Sequence, residues 1–89
     1  MSIYELMEAG LSVPAERIEK EYQSLKEWRD VYEKRGMTAM VERVDVMVET
    51  LLTYKPFNLK DRKRQNKLLL MKQWQQEMIE DLSTAQQSL

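Results

Sequence analysis

The sequence contains no cysteine and no histidine, and it has only two glycines and two prolines in 89 residues. Without cysteine and histidine, a single chain has no thiolate nucleophile, no imidazole base and none of the usual ligands of structural zinc. Neither Gly10 nor Gly36 belongs to a glycine-rich phosphate-binding motif. We therefore expect a protein that is not an enzyme, that needs no cofactor and that has no small-molecule substrate.

Long apolar runs are also missing. The longest one, Leu68 to Met71, has four residues, whereas a helix needs about 20 apolar residues to cross a bilayer. The acidic start at Ser2 to Glu5 does not resemble a secretory signal. Because 43% of the residues are apolar and 33% are charged, we expect a single cytoplasmic globular domain without a membrane partner.

The few glycines and prolines divide the chain into segments with helical periodicity. Ser2 and Glu5 have the spacing of a capping box, and Gly10 and Gly36 are placed to end helices. Asn58 can cap the last segment, because Pro56 ends the one before it. The sequence thus predicts helices at about 3–9, 14–35, 38–54 and 58–82, followed by a polar tail at 83–89.

The second and third segments have the apolar faces of a helical hairpin. The second carries large apolar residues three or four positions apart, namely Ile18, Tyr22, Leu25, Trp28 and Tyr32. Several valines make a strand the alternative for the third segment, but strict alternation is absent. The expected fold is all-α: a short N-terminal helix, an antiparallel hairpin and a third long helix, closed within the chain or completed by dimerisation.

Positive charge is concentrated before and at the start of the last helix. Residues 55 to 72 carry seven Lys or Arg and one Asp, although the whole chain has a net charge of -1. The predicted basic patch consists of Lys60, Arg62, Lys63, Arg64 and Lys67. Cations near a helix N-terminus oppose the helix dipole, so local stability does not explain their position. Three interpretations stay open: a solubilising face paired with acidic residues of the hairpin, contact with an acidic protein, and contact with nucleic acid.

The apolar half of the same helix presents Met71, Trp74 and Met78 on one face. These residues are either core or a partner-binding surface, since methionine adapts to varied partners and tryptophan is common at interaction hot spots. A simple antiparallel register would place residue 58 beside residue 54, and the basic half would then cover an apolar part of the hairpin. Either the helix begins later, near Asn66, or it projects and its apolar half contacts another chain.

These patterns predict a small non-catalytic protein-protein interaction module, such as a regulator, inhibitor or adaptor. It would act through the third long helix on another protein or on a second copy of itself, and we expect a homodimer. The alternative is a nucleic-acid-binding protein that uses the basic stretch 60–67. The salt dependence of binding distinguishes phosphate contacts from apolar ones.

Overall fold

A computed structural model describes residues 2 to 87 of the chain, and within this range it contains α-helices and no β-strand. The helices are α1 (Ile3–Glu8), α2 (Ala15–Lys34), α3 (Thr38–Thr53) and α4 (Arg62–Gln87). The predicted all-α fold class is confirmed. None of these helices has the length and apolar composition that a membrane span requires.

Local signals explain the first three helices. The Ser2 hydroxyl accepts a hydrogen bond from the backbone N–H of Glu5 at 3.2 Å, as the capping pattern predicts. Gly10 and Gly36 follow α1 and α2 with φ angles of 73° and 70°, the left-handed conformation that glycine adopts without strain. Helix α3 begins without a side-chain cap, because Met37 holds the N-cap position and Thr38 is already helical.

The predicted start of the last helix at Asn58 is wrong, because α4 begins at Arg62. The Asn58 side chain instead accepts a hydrogen bond from the N–H of Lys60, which forms a local turn. Asp61 caps α4, since its carboxylate accepts from the N–H of Arg64 at 3.2 Å and its carbonyl accepts from the N–H of Gln65. Both Asn and Asp are favourable caps, and here the asparagine is occupied by the preceding turn.

The predicted polar tail from residue 83 is helical as far as residue 87, and residues 88 and 89 lie outside the described range. Since residues 62 to 87 contain neither glycine nor proline, no residue in that stretch forces α4 to end earlier.

The helices pack in a defined order. An ion pair of 2.7 Å between Arg29 and Asp45 joins α2 to α3 across the predicted antiparallel hairpin. Helix α1 packs against α4, and the contacts that join α3 to α4 are in antiparallel order along the two helices. Two further ion pairs join the helices, Arg43 with Glu77 at 2.9 Å and Lys72 with Glu8 at 2.6 Å.

Every helix contributes to one core. Its buried apolar residues are Ile3, Tyr4, Met7, Leu25, Tyr32, Val44, Met47, Leu51, Leu68, Met71 and Met78. Helix α1 is short, yet half of its residues are buried. It covers apolar surface of α4.

The basic half of the last helix does not cover the apolar end of the hairpin, as the simple register would require. The linker of residues 54 to 61 shifts α4 along α3, so that Glu77 rather than a residue near 70 lies opposite Arg43. Leu68 thereby reaches the last turns of α3, where it lines a cavity together with Thr50. The charged first turn of α4 stays exposed, and no Lys or Arg among the described residues is buried.

Candidate binding site at the start of helix α4

The three residues predicted to bind a partner lie mostly inside the protein. Met71 and Met78 are 1% and 0% exposed, so their side chains belong to the core in this structure and not to the surface. Trp74 is half-buried and packs against the same core, with the Arg43 guanidinium carbon 5.3 Å from the centre of its ring. The core alternative therefore describes the two methionines, because α1 and the hairpin cover this face.

The predicted basic residues, in contrast, are all exposed. We call residues 55 to 67 the basic segment; it contains six Lys or Arg and one Asp. Arg64 forms an ion pair of 3.4 Å with Asp61 of the same segment. In the part of the chain that the structure describes, none of the other five cations forms an ion pair, namely Lys55, Lys60, Arg62, Lys63 and Lys67. Pairing with acidic residues of the hairpin, one of the three interpretations, is therefore not observed.

A cavity of about 310 Å³ lies between the end of α3, the linker and the start of α4. We call it the linker pocket. It is lined by Thr50, Thr53, Tyr54, Lys55, Phe57, Arg64, Lys67 and Leu68. Of the predicted basic patch, the structure brings Arg64 and Lys67 to this pocket, whereas Lys60, Arg62 and Lys63 do not line it.

The three hydroxyl groups that line the linker pocket already have partners. Thr50 and Thr53 each donate a hydrogen bond of 2.8 Å to the carbonyl oxygen four residues earlier in α3. The Tyr54 hydroxyl donates to the carbonyl of Leu11, and burial raises the pKa of Tyr54, which keeps this donor protonated. The rings of Tyr54 and Phe57 meet edge to face at 6.3 Å. The pocket thus offers apolar walls and three cations.

The turn after α1 holds the linker in place. The N–H of Phe57 donates to the carbonyl of Gly10 at 3.3 Å, beside the bond from Tyr54 to Leu11. A Cβ atom at Gly10 would overlap the carbonyl oxygen of Phe57, so the close approach requires glycine. The linker wall of the pocket is therefore held in place by the turn at Gly10 and Leu11, which lies far earlier in the sequence.

Helix electrostatics separates the cations into two groups. Arg64 and Lys67 share the pocket with Thr50 and Thr53 in the last turn of α3, where the carbonyl groups carry partial negative charge. The second group precedes or begins α4 and consists of Lys60, Arg62 and Lys63. These residues do not line the pocket and therefore do not share it with the last turn of α3. Packing and ion pairing within the described residues do not explain these three cations.

Sequence reasoning missed Lys55 and the pocket walls. The signal in the sequence was weak: Tyr54, Lys55, Pro56 and Phe57 are consecutive, which indicates an aromatic-flanked break between helices. The opposing surfaces come from Leu68 and from the end of α3, and no local pattern predicts that they meet.

A second and more open cavity, of about 500 Å³, lies between α1, α2 and α4. There Gln75 donates to the carboxylate of Glu21 at 3.3 Å. Burial raises the pKa of Glu21, although the bond from Gln75 and the charge of Arg17 act in the opposite direction. The buried hydroxyl of Tyr4 has no hydrogen-bond partner among the described residues. Across those residues, acidic side chains form no cluster suited to a metal ion.

Comparison of this chain with protein-family models, with curated proteins and with solved structures finds no match.

Proposed function

We propose that this protein is a non-catalytic interaction module whose basic segment binds an acidic segment of another protein. The observation that carries the proposal is the exposure of Lys60, Arg62 and Lys63 without an ion pair among the described residues. Cations at the start of a helix are unfavourable by about 0.3 to 1 kcal/mol each at low salt. A negatively charged partner supplies the stabilisation that these side chains lack within the chain.

A protein partner fits this surface better than nucleic acid for two reasons. Leu52 and Leu59, near and within the basic segment, are 59% and 47% exposed, and apolar contacts of this kind are typical of protein interfaces. Outside the basic segment, the chain carries eight Lys or Arg and fourteen Asp or Glu. A long polyanion that extended beyond the basic segment would meet this negative charge.

Self-association through α4 has less support. The expected homodimer rested on an apolar face at Met71, Trp74 and Met78, and the chain itself covers most of that face. A homodimer stays a prediction, which sedimentation at micromolar concentration tests.

Anisotropy titrations with a labelled glutamate-rich peptide, a DNA duplex and a single-stranded RNA test the proposal. We expect the peptide to bind at low salt and to weaken as salt is added, because the contacts are exposed charges. Replacing Lys60, Arg62 and Lys63 together by glutamine removes three contacts, and we expect roughly a 10- to 100-fold loss of affinity.

A triple replacement of Lys20, Lys26 and Lys34 by glutamine in α2 is the matched control, since it changes the net charge equally. The proposal is wrong if the peptide does not bind at low salt, or if both triple variants lose affinity equally. Tighter binding of either nucleic acid than of the peptide would instead support the nucleic-acid alternative.

A further inference from the structure

The linker pocket combines apolar walls with a charged rim. Tyr54 and Phe57 provide aromatic surface, and the buried side chain of Leu68 adds apolar surface from α4. Lys55, Arg64 and Lys67 also line the pocket and are exposed. An apolar group attached to negative charge matches both the aromatic and aliphatic surface and the cations of this pocket.

The hydroxyl groups of the pocket have no hydrogen left to donate to a ligand. The hydroxyl hydrogens of Thr50, Thr53 and Tyr54 are all used in bonds to backbone carbonyls. A sugar or another polyhydroxyl ligand would find no free hydroxyl donor there and would lose its own hydration. An apolar side chain needs no hydrogen-bond donor from the pocket.

The size of the pocket suits one large side chain. Its volume of about 310 Å³ is at the lower end of the range of about 300 to 1,000 Å³ found for small-molecule sites. Binding hot spots at protein interfaces are commonly single large side chains in pockets, surrounded by weaker polar contacts.

The pocket is also formed before a partner arrives. The bonds from Phe57 to Gly10 and from Tyr54 to Leu11 fasten the linker to the turn after α1. A preformed pocket avoids part of the ordering entropy that binding otherwise requires.

We propose that the linker pocket holds one large apolar side chain, such as tryptophan, of the acidic segment that the basic segment binds. Carboxylates next to that residue would contact Lys55, Arg64 and Lys67. This inference rests on the proposed function and adds the chemistry of the partner: an acidic peptide with an apolar anchor.

Two labelled peptides test the inference. Both have ten residues, mostly aspartate and glutamate, and they differ at one central position, which is tryptophan in one and alanine in the other. We expect the tryptophan peptide to bind the wild-type protein roughly 10- to 100-fold more tightly, as burial of one large apolar side chain implies.

The variant Thr53→Phe places a ring at the mouth of the pocket, at an exposed position. We expect it to bind both peptides with the affinity of the alanine peptide. Ser24→Phe adds the same ring beside the second cavity and should keep the preference for tryptophan. Circular dichroism checks that both variants are folded. The Thr50 and Thr53 methyl resonances of the wild-type protein give an independent result, because only the tryptophan peptide should shift them strongly.

Equal affinities of the two peptides for the wild-type protein, or unshifted methyl resonances, would overturn the anchor pocket and leave the acidic-peptide proposal intact. If neither peptide binds at low salt, both proposals are wrong. A wild-type dimer that dissociates in Thr53→Phe would identify a second copy as the occupant and overturn the peptide.

Discussion

Replacing Lys63 by glutamate should stabilise the folded protein and should weaken its binding to an acidic peptide. Lys63 is the second residue of α4, and its side chain is exposed. The positive end of the helix dipole lies there, so a cation is unfavourable and an anion is favourable. Lys67 lies four residues later on the same face, where two like charges repel and a Glu-to-Lys pair attracts.

The expected gain follows from these two effects. Reversing the charge changes the dipole interaction by about 0.3 to 1 kcal/mol for the lost cation and by a similar amount for the new anion at low salt. Exchanging the repulsion with Lys67 for an attraction adds about 0.2 to 0.5 kcal/mol for each of the two changes. We expect a total of about 1 to 3 kcal/mol, and each kcal/mol raises the Tm of a domain of this size by roughly 4 to 8 °C.

Urea denaturation followed by circular dichroism measures the change at low salt and in sodium chloride of about 1 M, where screening should remove most of it. Lys63→Gln should give about half of the gain. Lys34→Glu is the opposite control, because Lys34 lies in the last turn of α2 and pairs with Asp30 at 2.9 Å; this variant should be less stable. Unchanged or reduced stability of Lys63→Glu at low salt would refute the reasoning, and so would a gain that salt does not affect.

Three further changes test the packing. Gly10→Ala should lower the free energy of unfolding by about 1 to 2 kcal/mol more than Gly36→Ala. Both sites have positive φ, but only Gly10 faces the Phe57 carbonyl, so equal losses in urea denaturation would contradict this contact. Tyr4→Phe removes a buried hydroxyl without a described partner and should leave thermal stability unchanged or raise it by about 1 kcal/mol; a clear loss would indicate a hidden hydrogen bond. Because the folded-state pKa of Glu21 is raised, protonation of Glu21 contributes favourably to the free energy of unfolding below its unfolded pKa. This contribution is lost as pH rises through the folded pKa. Glu21→Gln should therefore stabilise the protein at pH 7 but change little near pH 4, and denaturation at the two pH values measures the difference.

Much of the secondary structure was predictable because its signals are local. A glycine with positive φ, a proline that restricts the residue before it, and a serine that caps the third residue of a helix all act within a few positions. The start of α4 was missed at the same level, since Asn58 and Asp61 are both good caps. Asn58 forms a turn with Lys60, and Asp61 caps the helix.

The candidate site was only partly predictable. The basic residues were recognised from composition, and their exposure follows from the high free energy of burying charge without a partner. The face with Met71 and Met78 was recognised as apolar, but periodicity does not tell what covers such a face. The linker pocket is lined by Thr50 before the linker and by Leu68 after it. The hydrogen bond from Phe57 to the carbonyl of Gly10, which is far away in the sequence, holds the linker there.

The sequence by itself thus determined an all-α chain, most helix limits and the position of the positive charge, because dihedral preferences, capping and solvation act residue by residue. Only the tertiary structure decided that α1 covers α4, that α4 is shifted along α3, and that the linker closes a pocket beside the cations. These outcomes depend on competition among apolar surfaces for the same partners, and that competition is settled by packing in three dimensions.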